Sequence, residues 1–333
     1  MSKAFSVLVT GGAGYIGSHS VLALLDAGWD VVVLDNLVTG FSWAIDDRAS
    51  FVEGSVEDMA LTARIIADHN IGAILHFAGS VVVPESVTDP LKYYRNNTAA
   101  SRALIESAVV GGVRHFIFSS TAATYGEPEA IPVQESAPTV PINPYGRSKL
   151  MTEQMLQDIS AAHPMNHAAL RYFNVAGADP EGRSGQSTDG ATHLIKVAVE
   201  AATGKRDHVA IFGTDFDTAD GTGVRDYIHV SDLAAAHVAA LDKLVEDPAR
   251  SYILNCGYGR GFSVSEVLDA VDRITNAPIE RRIEGRRAGD PAALVADNSA
   301  ILDTLRWTPQ RDDIDLIVAD AMAWERKLAE KRT

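Results

Sequence analysis

The chain has 333 residues, 46% of them hydrophobic, and a formal net charge of −15. That length supports a large core and two lobes. The acidic balance, with no basic cluster denser than the Arg281–Arg287 run that Glu284 interrupts, excludes the footprint of a nucleic-acid binder. A single cysteine, Cys256, excludes an internal disulfide, and without CxxC or HExxH no metal is expected.

The first apolar run, 5–11, is short and ends in glycines, unlike a signal peptide. No stretch approaches the roughly 18 apolar residues of a membrane span. The sequence therefore predicts a soluble cytoplasmic protein with no membrane partner. Short β-branched runs at 5–11, 30–36, 49–55, 72–79 and 114–120 read as buried strands. Segments 17–28, 58–69 and 97–112 between them carry apolar residues at helical spacing, as does 150–163, and 168–174 reads as a sixth strand. Strand–helix alternation of this kind predicts an α/β fold with a doubly wound parallel (Rossmann) sheet covered on both faces.

From about residue 177 the pattern changes. Residues 177–190 form a polar, glycine-rich loop, 193–204 read as a helix, 208–213 as a short strand, and 214–230 as another long polar stretch of the kind that tends to bind ligands. These segments predict a smaller C-terminal α/β substrate lobe. The expected division is 1–176 with a return segment near 224–255 for the first lobe, and 177–223 with 256–333 for the second.

Gly11, Gly14 and Gly17 stand in a G-x-x-G-x-x-G frame between the first strand and the first helix. Glycine lets the backbone turn tightly and approach a pyrophosphate, whose charge the helix N-terminus stabilises. Asp35 ends the next strand, where a carboxylate accepts hydrogen bonds from a ribose diol and repels a 2′-phosphate. The expected cofactor is NAD rather than NADP. The fifth strand ends in Ser119, Ser120 and Thr121, and ligands of open α/β sheets sit outside the carboxyl ends of the strands. One crossover later comes "NPYGRSK", residues 143–149. Tyr145 and Lys149 share a helix face there. An ammonium and a positive nicotinamide near a phenol favour its phenolate, giving an acid/base for a hydroxyl being oxidised.

With these motifs the sequence resembles the extended short-chain dehydrogenase/reductase family, and within it the UDP-galactose 4-epimerase branch. The resemblance spans nearly the whole chain. "GGAGYIGSH", "LDNL", "HFAG", "NPYGRSK", "LRYFNVAGA", "GTGVRDYIHVSDLA", "YILNCGYG" and "RRAGDPA" occur in the family's order, and "DGTGVRDYIHV" and "RRAGD" are the most specific. It implies that tightly held NAD+ takes hydride from C4 of a UDP-hexose while Tyr145 takes the hydroxyl proton, and that hydride returns to the other face of the 4-keto sugar. Thr121 then matches the family's hydrogen-bonding Ser/Thr, and Lys149 holds the nicotinamide ribose. Besides the glycines, the implied cofactor contacts are Tyr15, Ile16, Asp35, Asn36, Ser55 and Val56 on one side. On the other they are Phe77, Ala78, Gly79, Asn97, Ser119, Tyr145, Lys149, Tyr172 and Phe173. The substrate side is implied to be Thr121, Asn174, His193, Leu194 and Tyr227, with Ala210 and Phe212 as the uracil wall and Arg225, Arg287 and Asp290 gripping the UDP; Leu294 stands where a side chain closes the sugar pocket near C2. Family analogy further implies a homodimer through helices near 93–110 and 147–162.

Three positions depart from the family's usual pattern. Val81 stands where a lysine is common, Ser55 where an Asp is common, and His193 where an Asn usually reaches the nucleotide. Other readings stay open at this point: a 4-epimerase of UDP-N-acetylglucosamine or a UDP-pentose, another nucleotide-sugar enzyme such as a 4,6-dehydratase or decarboxylase, or a catalytically silent NAD-binding regulator. "SSTAATYG" lacks the acidic pair of a dehydratase, and the intact Thr121/Tyr145/Lys149 set argues against a silent protein.

Overall fold

The computed structural model describes residues 4–287 and 290–332. In chain order the first half runs β1 (Ser6–Thr10), α1 (Tyr15–Asp26), β2 (Val31–Asp35), β3 (Ser50–Glu53), α2 (Met59–Asp68), β4 (Ile71–His76), α3 (Val83–Thr88), α4 (Pro90–Tyr93), α5 (Ala100–Val110), β5 (His115–Thr121), α6 (Pro144–Ala162) and β6 (Asn166–Tyr172). The second half runs β7 (Asn174–Ala176), α7 (Leu194–Ala202), β8 (Val209–Phe212), β9 (Val224–His229), α8 (Val230–Glu246), β10 (Tyr252–Cys256), β11 (Gly261–Ser263), α9 (Val264–Thr275), β12 (Arg281–Glu284), β13 (Ala293–Leu294), α10 (Ser299–Leu305) and α11 (Ile314–Arg332).

Seven strands form a parallel sheet in the order β3-β2-β1-β4-β5-β6-β10, confirming the doubly wound α/β reading. Strand residues alternate between faces, so a β-branched run buried on both sides feeds two cores. Val7 and Val9 of β1 pack with Val21 and Leu24 of α1, while Leu8 packs with Ile65 of α2, Leu104 of α5 and Leu156 of α6. Helix α8, far along the chain, lays Leu233, Ala236, Ala240 and Leu241 on the same face as α1. The winding reverses between β1 and β4, and that reversal opens a crevice at the carboxyl ends of the strands.

The remaining strands form two small sheets. In one, β9 lies between β11 and β13 and also pairs with β7; in the other, β8 pairs with β12 in parallel. Helices α7, α9 and α11 bury Ile195, Val199, Leu268, Val271, Ile317 and Val318 against them.

The stretch 214–230, expected to be loop throughout, contains strand β9. Its polar residues hide the strand because their partners are internal. Asp226 accepts backbone N–H groups of Tyr258, Gly259 and Ala296, and His229 caps α8. Burial pushes the Asp226 carboxyl up to about 6 against those three donors. Among the described residues no helix is long and apolar enough to cross a membrane, and no group of His, Cys, Asp or Glu is arranged to hold a metal ion.

Helix α6 starts at Asn143, whose Oδ1 accepts the Gly146 N–H at 2.8 Å, with Pro144 in the first turn. Replacing such a cap costs about 1 kcal/mol. We expect Asn143→Ala to lower the unfolding midpoint accordingly while Asn143→Asp stays near wild type; chemical denaturation of both variants checks this.

Candidate active site

The glycine loop is built by close approach. At Gly11, φ is +73° and a Cβ would stand 2.6 Å from the Ala78 nitrogen; at Gly17 a Cβ would stand 2.1 Å from the Gly11 carbonyl oxygen. Gly14 is the N-cap of α1 and supplies no side-chain cap, so first-turn N–H groups remain for an anion. Ile16 and Gly17 follow in that first turn. Tyr15 turns away to the second lobe, where its hydroxyl donates to the Gly177 carbonyl at 2.7 Å.

Asp35 ends β2 with its carboxylate only 8% exposed. Its Oδ2 accepts the Ala13 N–H at 2.9 Å and its Oδ1 the Leu37 N–H at 2.8 Å, which leaves each oxygen acceptor capacity toward the crevice. Asn36 is exposed and its Oδ1 accepts the Val38 N–H. Ser55 accepts the Glu57 N–H, and Val56 is buried in the α2 core. Phe77 and Ala78 both donate their backbone N–H to the Thr10 carbonyl. Gly79 abuts Asn97, which sits in the π-helical turn Tyr94–Ala99, a local widening often found at functional sites. Asn97 clasps Ser80 with both ends of its amide and donates to the Ser148 hydroxyl at 3.0 Å, tying the turn after β4 to α6. A glycine cradle, free helix-terminal donors and a buried carboxylate together fit a dinucleotide without a 2′-phosphate.

The three expected catalytic residues come together. Thr121, the last residue of β5, accepts the Ala123 N–H at 3.1 Å. Tyr145, in the first turn of α6, lies beside Thr121; burial pushes its phenol up and the nearby Thr121 side chain offsets part of the shift. Its ring meets Tyr93 edge-on at 6.4 Å. Lys149 is 3% exposed and donates to the Ser119 carbonyl at 2.8 Å, with its Nζ 4.9 Å from the centroid of the Phe118 ring. Burial lowers its amine to about 8, and Glu153 acts in the opposite direction. The sequence led us to expect the ammonium and a positive nicotinamide together to favour the phenolate. Within the chain alone desolvation is the larger influence on Tyr145.

Tyr172 is buried at the end of β6, and Phe173 packs with Leu294 against Ala122, Tyr125 and Val133. Leu294 is half-buried in the two-residue strand β13, opposite Arg225 of β9. It is thus both a strand residue and a neighbour of the turn that follows Thr121. Asn174 pairs with Tyr227 across β7 and β9, and both line one small pocket with His193, Leu194 and Gln186. The Gln186 amide donates to His193 Nδ1 at 2.8 Å, and burial lowers that imidazole. Ala210 and Phe212 share one face of β8, with the Arg287 guanidinium 3.6 Å from the Phe212 ring centroid. Arg225 pairs with Asp290 at 3.0 Å. Val81 is half-exposed in an exposed run with Val82 and Val83.

Sequence reasoning missed a buried network under the site. Glu153, one helical turn beyond Lys149, accepts both Nε and Nη2 of Arg171 (2.9 and 2.6 Å) and the Ser120 hydroxyl. Arg171 also donates to the Tyr125 hydroxyl at 3.0 Å, which donates to Asn255 at 2.6 Å. The spacing Tyr145–Lys149–Glu153 was the available signal, since it extends one helix face by a further turn.

The sequence profile of the NAD dependent epimerase/dehydratase family matches residues 7–257. The UDP-glucose 4-epimerase of Azospirillum brasilense is 55% identical over 97% of this chain and 92% of its own. Among solved structures, UDP-glucose 4-epimerase from Brucella ovis in complex with NAD is 42% identical, with a TM-score of 0.93 over 96% of this chain and 98% of its own. The UDP-Glc/GlcNAc 4-epimerase of Campylobacter jejuni is 48% identical, with a TM-score of 0.85 over 97% of this chain and 100% of its own. A profile match over most of the chain, joined to full-length identities of this size, shows that the chain belongs to the NAD dependent epimerase/dehydratase family.

Proposed function

We propose that this chain is an NAD-dependent UDP-glucose 4-epimerase. The observation that carries the reading is the Thr121–Tyr145–Lys149 set at the switch-point crevice of a chain 55% identical to an enzyme of that name. NAD+ bound at the glycine cradle supplies the hydride acceptor for C4 and the donor for re-reduction of the 4-keto sugar from its other face. Tyr145 removes the C4 hydroxyl proton and later returns it. Thr121 holds that hydroxyl, and Lys149 holds the nicotinamide ribose. Asn97 and Ser119 fix the wall beneath them. Residues 1–176 with 224–255 hold the dinucleotide and lend Asn174, Arg225 and Tyr227 to the nucleotide sugar, while 177–223 with 256–333 hold that sugar through His193, Leu194, Arg287 and Asp290, with uracil against Ala210 and Phe212. The enzyme works in the cytoplasm as a homodimer through the helices near 93–110 and 147–162, whose exposed Val110 and Met151 support a covered face.

A second activity, on N-acetylhexosamines, is favoured by Leu294, shorter than a tyrosine and lacking its hydroxyl, and by 48% identity to an enzyme described as a UDP-Glc/GlcNAc 4-epimerase.

Three measurements test these assignments. Tyr145→Phe is expected to fold and keep NAD but lose roughly 10²–10⁴-fold in kcat; turnover within about threefold of wild type overturns the acid/base role. Purified protein, denatured without added cofactor, is expected to release NAD+ or NADH; recovery of NADP, or an absolute need for added NAD, overturns the role of Asp35. UDP-glucose is expected to turn over well and UDP-N-acetylglucosamine slowly, with Leu294→Tyr removing only the second activity. Equal losses of kcat/KM for both sugars place the size limit elsewhere.

A further inference from the structure

Glu153 is a buried carboxylate one helical turn beyond Lys149, only 1% exposed, and the acid–base steps above do not use it. A buried carboxylate is retained only where its charge is matched and its lone pairs are filled. Here the Arg171 fork takes both oxygens, and the Ser120 hydroxyl adds a third donor. Ser120 lies between Ser119, whose carbonyl holds the Lys149 amine, and Thr121, whose side chain stands beside Tyr145. Glu153 therefore touches the strand segment that carries both partners. It also stands on the helix face of Tyr145 and Lys149, at the next i+4 position.

We propose that Glu153 is a positioning residue for the reaction: clamped by Arg171 and Ser120, it fixes the end of β5 beneath Thr121 and keeps the Lys149 amine charged. This rests on the acid–base reading of Tyr145 and Lys149. Among the described residues, the groups around Lys149 make Glu153 its one nearby anion. From β4 comes His76, buried and lowered to about 3, hence neutral, between the Thr10 and Ser101 hydroxyls. From β5 come the Ser119 carbonyl and the Phe118 ring, and from the turn before α5 comes the neutral Asn97. From β6 come Tyr172, its phenol pushed well up by burial, and Arg171, which is already spent on Glu153. On α6 itself Tyr145 is held up by burial, as is the Tyr93 phenol of α4 beyond it. Only Glu153 opposes the desolvation that drives the Lys149 amine toward neutrality.

The test is the alkaline limb of the kcat–pH profile of the holoenzyme, with thermal unfolding of each variant alongside. Glu153→Gln is expected to move that limb to lower pH by about one unit. Glu153→Asp, which keeps the charge, returns it to near the wild-type position. The double variant Glu153→Gln/Arg171→Met also removes the guanidinium that Glu153→Gln leaves unpaired, so it recovers thermal stability over Glu153→Gln while its limb lies between that variant and wild type. If all three variants keep the wild-type limb, with kcat falling uniformly in step with stability, Glu153 is a structural residue and the proposal is overturned. If Tyr145→Phe turns over like wild type, the acid–base reading itself falls, and the proposal with it.

Discussion

The site depends on one polar seam, where α6 lies along the free end of β5. The pairing of β4 with β5 ends at His76 and Phe118, while β5 runs on to Thr121, paired only with β6. Three residues thus project past their neighbour at the winding reversal, and their backbone groups on that edge need partners. Helix α6 supplies partners to this segment turn by turn. Tyr145 stands beside Thr121, the Lys149 amine donates to the Ser119 carbonyl, and Glu153 accepts the Ser120 hydroxyl. The same mismatch in strand length that opens a crevice therefore fixes the register of the helix that lines it. Asn97 then pins the turn after β4 to the helix through Ser148, so the third wall is tied to the same seam.

Much of this was legible before any coordinates. The buried strands β1, β2, β4 and β5 carry β-branched residues between glycine or polar turns, and the helices between them keep 3.6-residue spacing. Strand β9 was not legible, because Arg225, Asp226 and His229 break every apolar pattern and find their partners far along the chain, as Asp226 does at Tyr258, Gly259 and Ala296. The Glu153–Arg171–Tyr125–Asn255 network escaped for the same reason. Each member lies on a different element, and nothing local marks a glutamate in a helix as buried. The glycine frame and the Tyr–Lys pair were readable because their function requires fixed spacing within one segment. The ammonium and the positive nicotinamide are expected to act together, and within the chain alone burial pushes the Tyr145 phenol up.

The 177–190 loop is tied directly to the glycine loop and the start of α1. Tyr15 reaches Gly177, and the Ser18 and Ser184 hydroxyls share a hydrogen bond at 2.7 Å. Trp324 of α11 donates to Ser187 and lies 6.0 Å from Trp43, in the segment that follows β2. Both edges of the α1 N-terminus thus lean on the 177–190 loop. Helix α8 then carries the chain back across the main sheet beside α1. A substitution in that loop acts on the cofactor cradle and on the second lobe together, so effects there are expected to be coupled rather than additive.

The arginines on the substrate side are occupied rather than idle. Arg225 is paired with Asp290 and its own Val224 carbonyl, and Arg287 lies over Phe212. Both engagements are weak by their nature. A partly exposed ion pair is worth about 0–1 kcal/mol, and a cation over an exposed ring about 0.5–1 kcal/mol. A pyrophosphate offers bidentate, charge-assisted hydrogen bonds that are shorter and about twice as strong as neutral ones. In the proposed reading, a nucleotide sugar therefore displaces these contacts at low cost. A base that takes the face of Phe212 also dislodges Arg287, and a phosphate receives it. Base and phosphate recognition become a single exchange, because the ring and the guanidinium cannot be satisfied by each other once the base is seated.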